Sequence, residues 1–294
     1  MRQLVLRNVV AATDLAPSAA DALRAAAALA RLAGARLHVV HAGGDGGEAA
    51  LRAHLAEFSP AVAGDAAVLA PPGPPDEVIL AAAERVHADV VVMGPHRRGR
   101  PGGGLGSTAA RVVRRAEAPC LVVPRPLDLP LRRVVAAVDL SDGGRGALLV
   151  ALSWASALRC PAAAREGGEP GTCIDALHVV SGDTPPEPDR VSLGGYVATV
   201  RAAAGGYAGV EIQEVVRPAG ASAEPVADAI FRHVADCGAG LLVLGTRAVH
   251  AERSLPLGSV SAAVAAQTPV PVLLVPPAVW RRAVEQPELP VARR

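Results

Sequence analysis

Two segments have the arrangement of a phosphate-binding loop, and the first of them is rich in glycine. One runs from Gly94 to Ser107 and the other from Gly245 to Ser259, and each follows a short apolar run. Glycine lets the backbone approach an anion closely, and the first N–H groups of a helix favour negative charge. Because both segments end in a Gly-Ser pair before a helical stretch, we predict anion-binding helix starts at Ser107 and Ser259.

An aspartate ends the first predicted strand of each half. The segment VVAATD ends at Asp14, and the segment VVAAVD ends at Asp139. A carboxylate at this position either caps the helix that follows or contacts a ligand at the end of the strand. The sequence leaves both interpretations open.

Other polar residues have mainly structural interpretations. His38 and His178 recur within the segment LHVV, which indicates a position fixed by the architecture. The arginines of 97–100 either supply positive charge to the first glycine-rich loop or form a solvated surface. The arginines of 107–116 are expected on the exposed face of a helix.

The elements that would position these residues alternate between strand and helix. In the first half we predict strands at 4–13, 36–41, 65–69, 90–93 and 120–123. In the second half we predict strands at 133–138, 176–180, 210–217, 241–244 and 270–275. This α/β alternation predicts two repeated, doubly wound parallel sheets of five strands each, with ligands at the carboxyl ends of the strands.

The halves are separated by a proline-rich linker at 124–131. We therefore predict a first domain at 1–126, a second domain at 127–280 and a C-terminal tail at 281–294. The chain is expected to pack poorly from Pro276 onward, and 160–173 is expected to be a surface loop. Asp76 is expected to cap the helix 77–87.

Composition limits the classes of partner. The net charge of +1 argues against a broad surface for nucleic acid or membrane. No secretory signal is apparent and no apolar stretch reaches the roughly 18 residues of a membrane span, so we expect a cytoplasmic protein. The four cysteines form no CxxC pair, and we expect reduced thiols, with Cys160 and Cys173 near enough in sequence to approach each other.

The order of these segments resembles a tandem-domain universal stress protein. The resemblance rests on TDLAPS, LHVV at 37–40, Met-Gly at 93–94 and Gly-Ser at 106–107, and on VDLSD, LHVV at 177–180, Leu-Gly at 244–245 and Gly-Ser at 258–259. It covers nearly the whole chain and implies a Rossmann-like fold of the adenine nucleotide alpha hydrolase type. It also implies a role in stress response or regulation, and an internal pseudo-dimer of the two halves that could assemble into a homo-oligomer.

The resemblance further implies that ATP or ADP binds, possibly with Mg²⁺, along the glycine-rich loop. In the first half the implied contacts are Thr13, Asp14, Val39, Met93, Gly94, Arg97, Gly99, Gly106, Ser107 and Thr108. In the second half they are Val138, Asp139, Val179, Leu244, Gly245, Arg247, Gly258, Ser259 and Val260. Both halves depart from the family pattern, with Arg97 and Ala248 in place of a glycine, and the first half is slightly favoured as the nucleotide site.

Three functions remain open from the sequence. The first is nucleotide binding without fast turnover, because no lysine follows the loop as in GxxxxGK[ST] and no nucleophile–base pair is evident. The second is a scaffold that binds no nucleotide and acts through protein partners. The third and least favoured is an ATP-cleaving enzyme, since the SGGxDS-like loop of such enzymes is replaced by TDLAPS and VDLSDGG.

Overall fold

The computed structural model describes residues 6–95, 105–158, 171–180, 187–204, 209–219, 226–246 and 257–285. The chain divides into two compact units, built mainly from Leu6–Leu127 and from Asp128–Val264 with Thr268–Arg294. Within the described part of the chain, no helix has the length and apolar composition needed to cross a membrane.

The first unit is built on parallel strands. They are β1 (Asn8–Ala12), β2 (Arg36–Val40), β3 (Ala67–Leu69), β4 (Val90–Met93) and β5 (Cys120–Val122). Their order in the sheet is β3-β2-β1-β4-β5, and each neighbouring pair is parallel. The helices between them are α1 (Ala20–Ala33), α2 (Gly47–Phe58), α3 (Pro60–Asp65), α4 (Pro75–Arg85) and α5 (Ser107–Arg115), with a short 3₁₀ helix at Pro17–Ala19.

The second unit repeats this arrangement. Its strands are β6 (Arg133–Ala137), β7 (Thr172–Val180), β8 (Val210–Pro218), β9 (Leu241–Gly245) and β10 (Val272–Val275), in the order β10-β9-β6-β7-β8. Neighbouring strands are again parallel. Its helices are α6 (Asp142–Ala157), α7 (Glu187–Ala204), α8 (Val226–Cys237), α9 (Ser259–Gln267) and α10 (Ala278–Glu285). The predicted fold class, two doubly wound five-stranded parallel units, is confirmed.

The cores follow from the small apolar residues of the sequence. The central strands are buried, β4 along its length and β1 from its second residue on, and α1 covers them with a buried face made largely of alanine. Alanine lets a helix lie close to a valine-rich sheet, and strands covered on both faces read as continuous apolar runs. A chain with few aromatic residues can therefore still bury two full cores.

The predicted cap at Asp76 is wrong. Helix α4 begins at Pro75, and its N-cap residue Pro74 makes no side-chain cap hydrogen bond. Asp76 is instead buried, 2.9 Å from Nη1 of Arg111 and 3.5 Å from Nη1 of Arg115. These two arginines keep about half of their side chains exposed, as expected, but their charged ends tie α5 to α4.

Two segments are more ordered than the sequence suggested. Strand β7 begins at Thr172 rather than 176, so the end of the expected loop 160–173 belongs to the sheet, while 159–170 lie outside the described residues. Helix α10 follows β10, and Trp280 is buried against Gly146 of α6. The expectation of poor packing from Pro276 onward is therefore wrong as far as Trp280, because a glycine at 146 lets the backbone and Cβ of Trp280 lie close against α6.

Three of the four cysteines lie in the described residues, and all three are free thiols. Cys120 and Cys173 are buried, and Cys237 is partly exposed. Burial raises the pKa of Cys120 to about 12 and that of Cys173 to about 11. The suggested approach of Cys160 to Cys173 lies outside the described residues.

Candidate functional site

Each unit has one point where the strand order reverses. In the first unit the chain moves from β1 to β2 on one side and later returns to β4 on the other side of β1. The same reversal in the second unit lies between β6 and β9. Open parallel sheets bind ligands in the crevice beyond the carboxyl ends of the strands at this point, so both units have the geometric requirement for a site.

A cavity of about 420 Å³ lies at this point of the second unit. It brings together most of the residues predicted for this half, namely Val138, Asp139, Val179, Leu244, Gly245, Gly258, Ser259 and Val260. Arg247 lies outside the described residues. Sequence reasoning missed the other lining residues, which are Ala137, Gly144, Leu177, His178, Val226, Ile230 and Ser261.

A smaller cavity of about 210 Å³ lies at the equivalent point of the first unit. Of the predicted residues it contains Thr13, Asp14, Met93, Gly94, Gly106, Ser107 and Thr108. Arg97 and Gly99 lie outside the described residues, and Val39 does not line the cavity. The lining residues that were not predicted are Ala12, Val40, Ala42, Pro75, Ile79 and Ala109.

The missed apolar wall is the same in both units. The first turns of α4 contribute Pro75 and Ile79 to the wall, and the first turns of α8 contribute Val226 and Ile230. The two residues of each pair lie one helical turn apart. An apolar pair at this spacing lies on one face of a helix and normally indicates core packing. The sequence therefore gave no signal that this face closes a cavity rather than a core.

The two LHVV segments are not structural equivalents. Ala12 pairs with Val40, whereas Ala137 pairs with Leu177, and each alanine lies two residues before the aspartate of its unit. The counterpart of His178 is therefore His41 rather than His38, and Ala42 rather than Val39 is the counterpart of Val179. Val39 is therefore not the positional counterpart of Val179, because LHVVH carries two histidines three residues apart and only the second is equivalent to His178.

The equivalent histidines make the same contact. Nδ1 of His41 lies 3.0 Å from the carbonyl oxygen of Thr13, and Nδ1 of His178 lies 2.9 Å from that of Val138. Each imidazole thus links its second strand to the residue just before the aspartate. Nε2 of His178 remains as the ring nitrogen that can serve a ligand at the cavity.

Each aspartate holds the turn that follows its strand. The Oδ1 atom of Asp14 accepts from the backbone N–H of Ala16 at 2.9 Å, and that of Asp139 accepts from the N–H and the hydroxyl of Ser141. The following residues, Leu15 and Leu140, have φ angles of 64° and 60°. A left-handed leucine is costly, and its recurrence shows that both units fix the same turn beside the cavity. Neither aspartate is itself the N-cap residue of the helix that follows, which is Ala16 in the first unit and Ser141 in the second.

The Gly-Ser pairs begin helices as predicted. Gly106 is the N-cap residue of α5 and Gly258 that of α9, and neither uses a side-chain cap. The N–H of Gly258 donates to the carbonyl of Thr246 at 3.0 Å, which ties the helix start to the end of β9. The first N–H groups of a helix have no acceptor within it, and Gly258 to Ser261 line the cavity.

Close backbone packing forms the wall below the aspartate of the second unit. A Cβ atom on Gly245 would lie 2.9 Å from the carbonyl oxygen of Gly143. The hydroxyl of Tyr196 donates to the carbonyl of Ser141 at 2.8 Å, and the guanidinium of Arg145 lies over the tyrosine ring. Burial raises the pKa of Tyr196, so the phenol stays neutral as a donor.

A family model described as the universal stress protein family matches residues 6–124 and 130–276. A universal stress protein structure from Pseudomonas aeruginosa superposes with a TM-score of 0.66 at 16% identity, over 96% of this chain and 98% of that one. One from Archaeoglobus fulgidus gives a TM-score of 0.63 at 20% identity, over 92% of this chain and 98% of that one. A shorter A. fulgidus universal stress protein in complex with dAMP aligns over 40% of this chain and 98% of its own at 25% identity, with a TM-score of 0.33. A search of curated proteins found no match.

Proposed function

The chain belongs to the universal stress protein family, and from this premise we propose that it binds an adenine nucleotide, without fast turnover, in stress response or regulation. The observation that carries the proposal is the cavity of about 420 Å³ at the strand-order reversal of the second unit. It combines an apolar wall, a carboxylate and a helix start. These are the three kinds of surface that a base, a ribose and a phosphate require.

The lining residues support one orientation of the nucleotide. The base fits between Val179 and the apolar face of α8 at Ile230, with Nε2 of His178 nearby as an acceptor. The ribose hydroxyls fit beside the carboxylate of Asp139. The phosphates then extend toward the N–H groups at the start of α9, around Ser259.

A buried polar atom beside the cavity also supports a ligand there. Oγ1 of Thr246 is buried, and it has no hydrogen-bond partner within the described part of the chain. An unpaired buried hydroxyl is costly, and Thr246 is the residue whose carbonyl holds the N–H of Gly258. A Mg²⁺ ion that accompanies a triphosphate would be held through the phosphate oxygens.

The second unit is favoured over the first as the nucleotide site, whereas the sequence slightly favoured the first half. Ligand pockets in proteins commonly measure about 300–1,000 Å³, and the two cavities measure about 420 and 210 Å³ among the described residues. We therefore propose that the second unit is the main nucleotide site. The first unit is the weaker site or acts only as a structural partner.

The cavity favours binding over rapid hydrolysis. The hydroxyl of Ser261 donates to the carbonyl of Gly245 at 2.7 Å, and Nδ1 of His178 contacts the carbonyl of Val138. A serine nucleophile needs a free hydroxyl beside a base, so Ser261, whose hydroxyl is engaged with the backbone, is not placed as one. We retain as proposals the cytoplasmic location that the sequence favours and the pairing of the two halves that the family resemblance implies.

Identification of the small molecules that copurify with the chain tests the proposed function. The protein is purified without added nucleotide, denatured gently, and the released molecules are identified by mass spectrometry. The proposal predicts ATP, ADP or AMP released in stoichiometric amounts, or taken up to that level after incubation with millimolar ATP. A chain that neither releases nor takes up an adenine nucleotide would support the scaffold alternative instead.

A further inference from the structure

A second polar cluster is buried in the second unit, away from the cavity. Asp175 lies near the start of β7, with 2% of its side chain exposed, and His233 lies near the end of α8, with 5% exposed. The cavity is lined from the other end of these elements, by Val179 and Ile230. The cluster is therefore a separate feature of the unit.

The cluster brings together nitrogen, sulfur and oxygen atoms. A ring nitrogen of His233, the Sγ atom of Cys237 and a carboxylate oxygen of Asp175 all lie within 4.8 Å of one another. Nε2 of His233 lies 2.8 Å from Oδ2 of Asp175, while Oδ1 accepts from Nη1 of Arg133 at 2.8 Å. The thiol of Cys173 lies 3.7 Å from the same Oδ1.

The local structure explains why these atoms converge. His233 and Cys237 are four residues apart on α8, so their side chains lie one turn apart on one face of the helix. Cys173 and Asp175 are two residues apart on β7 and share one face of the sheet. Since α8 packs on β7, the two pairs meet between helix and sheet.

The imidazole of His233 has an unused nitrogen. Its Nδ1 atom is buried and has no hydrogen-bond partner among the residues that the structure describes. A metal ion bound by both His233 and Asp175 would replace the hydrogen bond that joins Nε2 to Oδ2. The ring proton would then reside on Nδ1, which has no competing partner among these residues.

We propose that Cys237, His233 and Asp175 form a binding site for a thiophilic divalent cation of the Zn²⁺ class. Sulfur with imidazole and carboxylate is a donor set typical of zinc, with bonds of about 2.0–2.3 Å. Tetrahedral geometry at these lengths places donor atoms roughly 3.3–3.8 Å apart. Atoms that lie within 4.8 Å of one another need shifts of about 1 Å or less to reach this spacing, which side-chain rotation can supply.

Binding exchanges a proton for the metal ion. The thiolate, not the thiol, is the form of cysteine that binds a metal ion. The metal–sulfur bond forms as the S–H bond breaks, and the proton is released to solvent without any change of oxidation state. Affinity should rise with pH for this reason. Cys237 is partly exposed, which gives the ion a route to the site.

The first unit supplies an internal comparison. The strand register places His38 at the position of Asp175 and Asn8 at that of Arg133. The register of β4 and β9 places Ala82 and Val86 at the positions of His233 and Cys237. The same fold forms in that unit without the donor set, so the fold itself does not require the cluster.

Cobalt(II) provides the test, because a cobalt–thiolate bond has a near-ultraviolet charge-transfer band. Full-length protein is freed of metal with a chelator and titrated with Co²⁺ and then Zn²⁺. We expect a band that saturates at one Co²⁺ per chain and is displaced by Zn²⁺. Cys237→Ala should remove the band and weaken Zn²⁺ binding at least tenfold, since even residues behind the ligands contribute 10–100-fold. Cys120→Ala, in β5, should leave both unchanged.

A second readout uses the unmodified protein, so it does not depend on the folding of a variant. The rate of Cys237 alkylation, followed by peptide mass spectrometry, should fall at least tenfold when Zn²⁺ is bound, and about one proton should be released. Absence of a charge-transfer band, or a band that survives Cys237→Ala, would overturn the proposal. The cluster would then be a hydrogen-bonded network around a buried Asp175.

Discussion

Substitution of Ser259 by aspartate should selectively weaken nucleotide binding. Ser259 is exposed at the first position of α9 and lines the larger cavity. A carboxylate there would face the proposed phosphate position. Two unit charges about 4 Å apart interact by about 1 kcal/mol in water and about 4 kcal/mol at an effective dielectric of 20. For this half-open site we expect a loss of about 1.4–2.8 kcal/mol, or roughly ten- to hundredfold in Kd.

The same substitution should not weaken the fold. A negative side chain in the first turn of a helix stabilises it by about 0.3–1 kcal/mol, so the Tm of Ser259→Asp should equal or exceed that of the wild type. The loss of affinity should shrink as salt is added, because the new charge is exposed to solvent. These two readouts separate repulsion of phosphate from damage to the protein.

The matched control is Ser107→Asp, at the start of α5 in the first unit. Equilibrium dialysis with labelled ATP should show a clear loss for Ser259→Asp and little change for Ser107→Asp. The reasoning would be refuted by a folded Ser259→Asp variant that binds ATP as tightly as the wild type. A loss confined to Ser107→Asp would instead move the site to the first unit.

Three further predictions concern the fold around the sites. Gly245→Ala should lower the free energy of unfolding, measured by chemical denaturation, by about 1–3 kcal/mol, because the new Cβ atom would meet the carbonyl of Gly143. Gly240→Ala, at a glycine with open space around it, should lower the same free energy far less. Asp76→Ala should lower the free energy of unfolding by about 1–3 kcal/mol, because it removes a buried carboxylate that is paired with two arginines. Asp21→Ala, which removes an exposed ion pair, should lower it by at most about 1 kcal/mol, and equal effects of the two substitutions would contradict the role given to burial. Burial, with the charges of Arg36 and Arg85, lowers the pKa of His38, so the contribution of His38 to stability is present above about pH 6.5 and is lost as pH falls through the lowered pKa. Between about pH 7.5 and pH 5, the urea midpoint should therefore fall less in His38→Gln than in the wild type. An equal fall in both proteins would argue against this role of His38.

The sequence was sufficient where the signal is local. Apolar runs such as Val90–Met93, followed by glycine and a Gly-Ser helix start, indicate strand, loop and helix in order, and their duplication indicates two units. The positions of Asp14 and Asp139 at strand ends follow from the same pattern. These residues reach the cavities because parallel strands bring all their carboxyl ends to one edge.

The sequence was insufficient where partners lie far apart along the chain. The register of β2 depends on which histidine of LHVVH contacts the end of β1, and both choices satisfy the local pattern. Asp76 looked like a cap because its partner Arg111 is on another helix. His233 and Asp175 belong to different elements, and only their packing shows that they form a cluster.

Photo-cross-linking with an azido derivative of ATP tests the central claim most directly. After irradiation and proteolysis, peptide mass spectrometry identifies the labelled residues. We predict label on the second unit, on peptides that contain His178, Val179 or Ile230, and loss of that label when unmodified ATP is in excess. Label confined to the first unit, or label that excess ATP does not prevent, would contradict the nucleotide site proposed for the second unit.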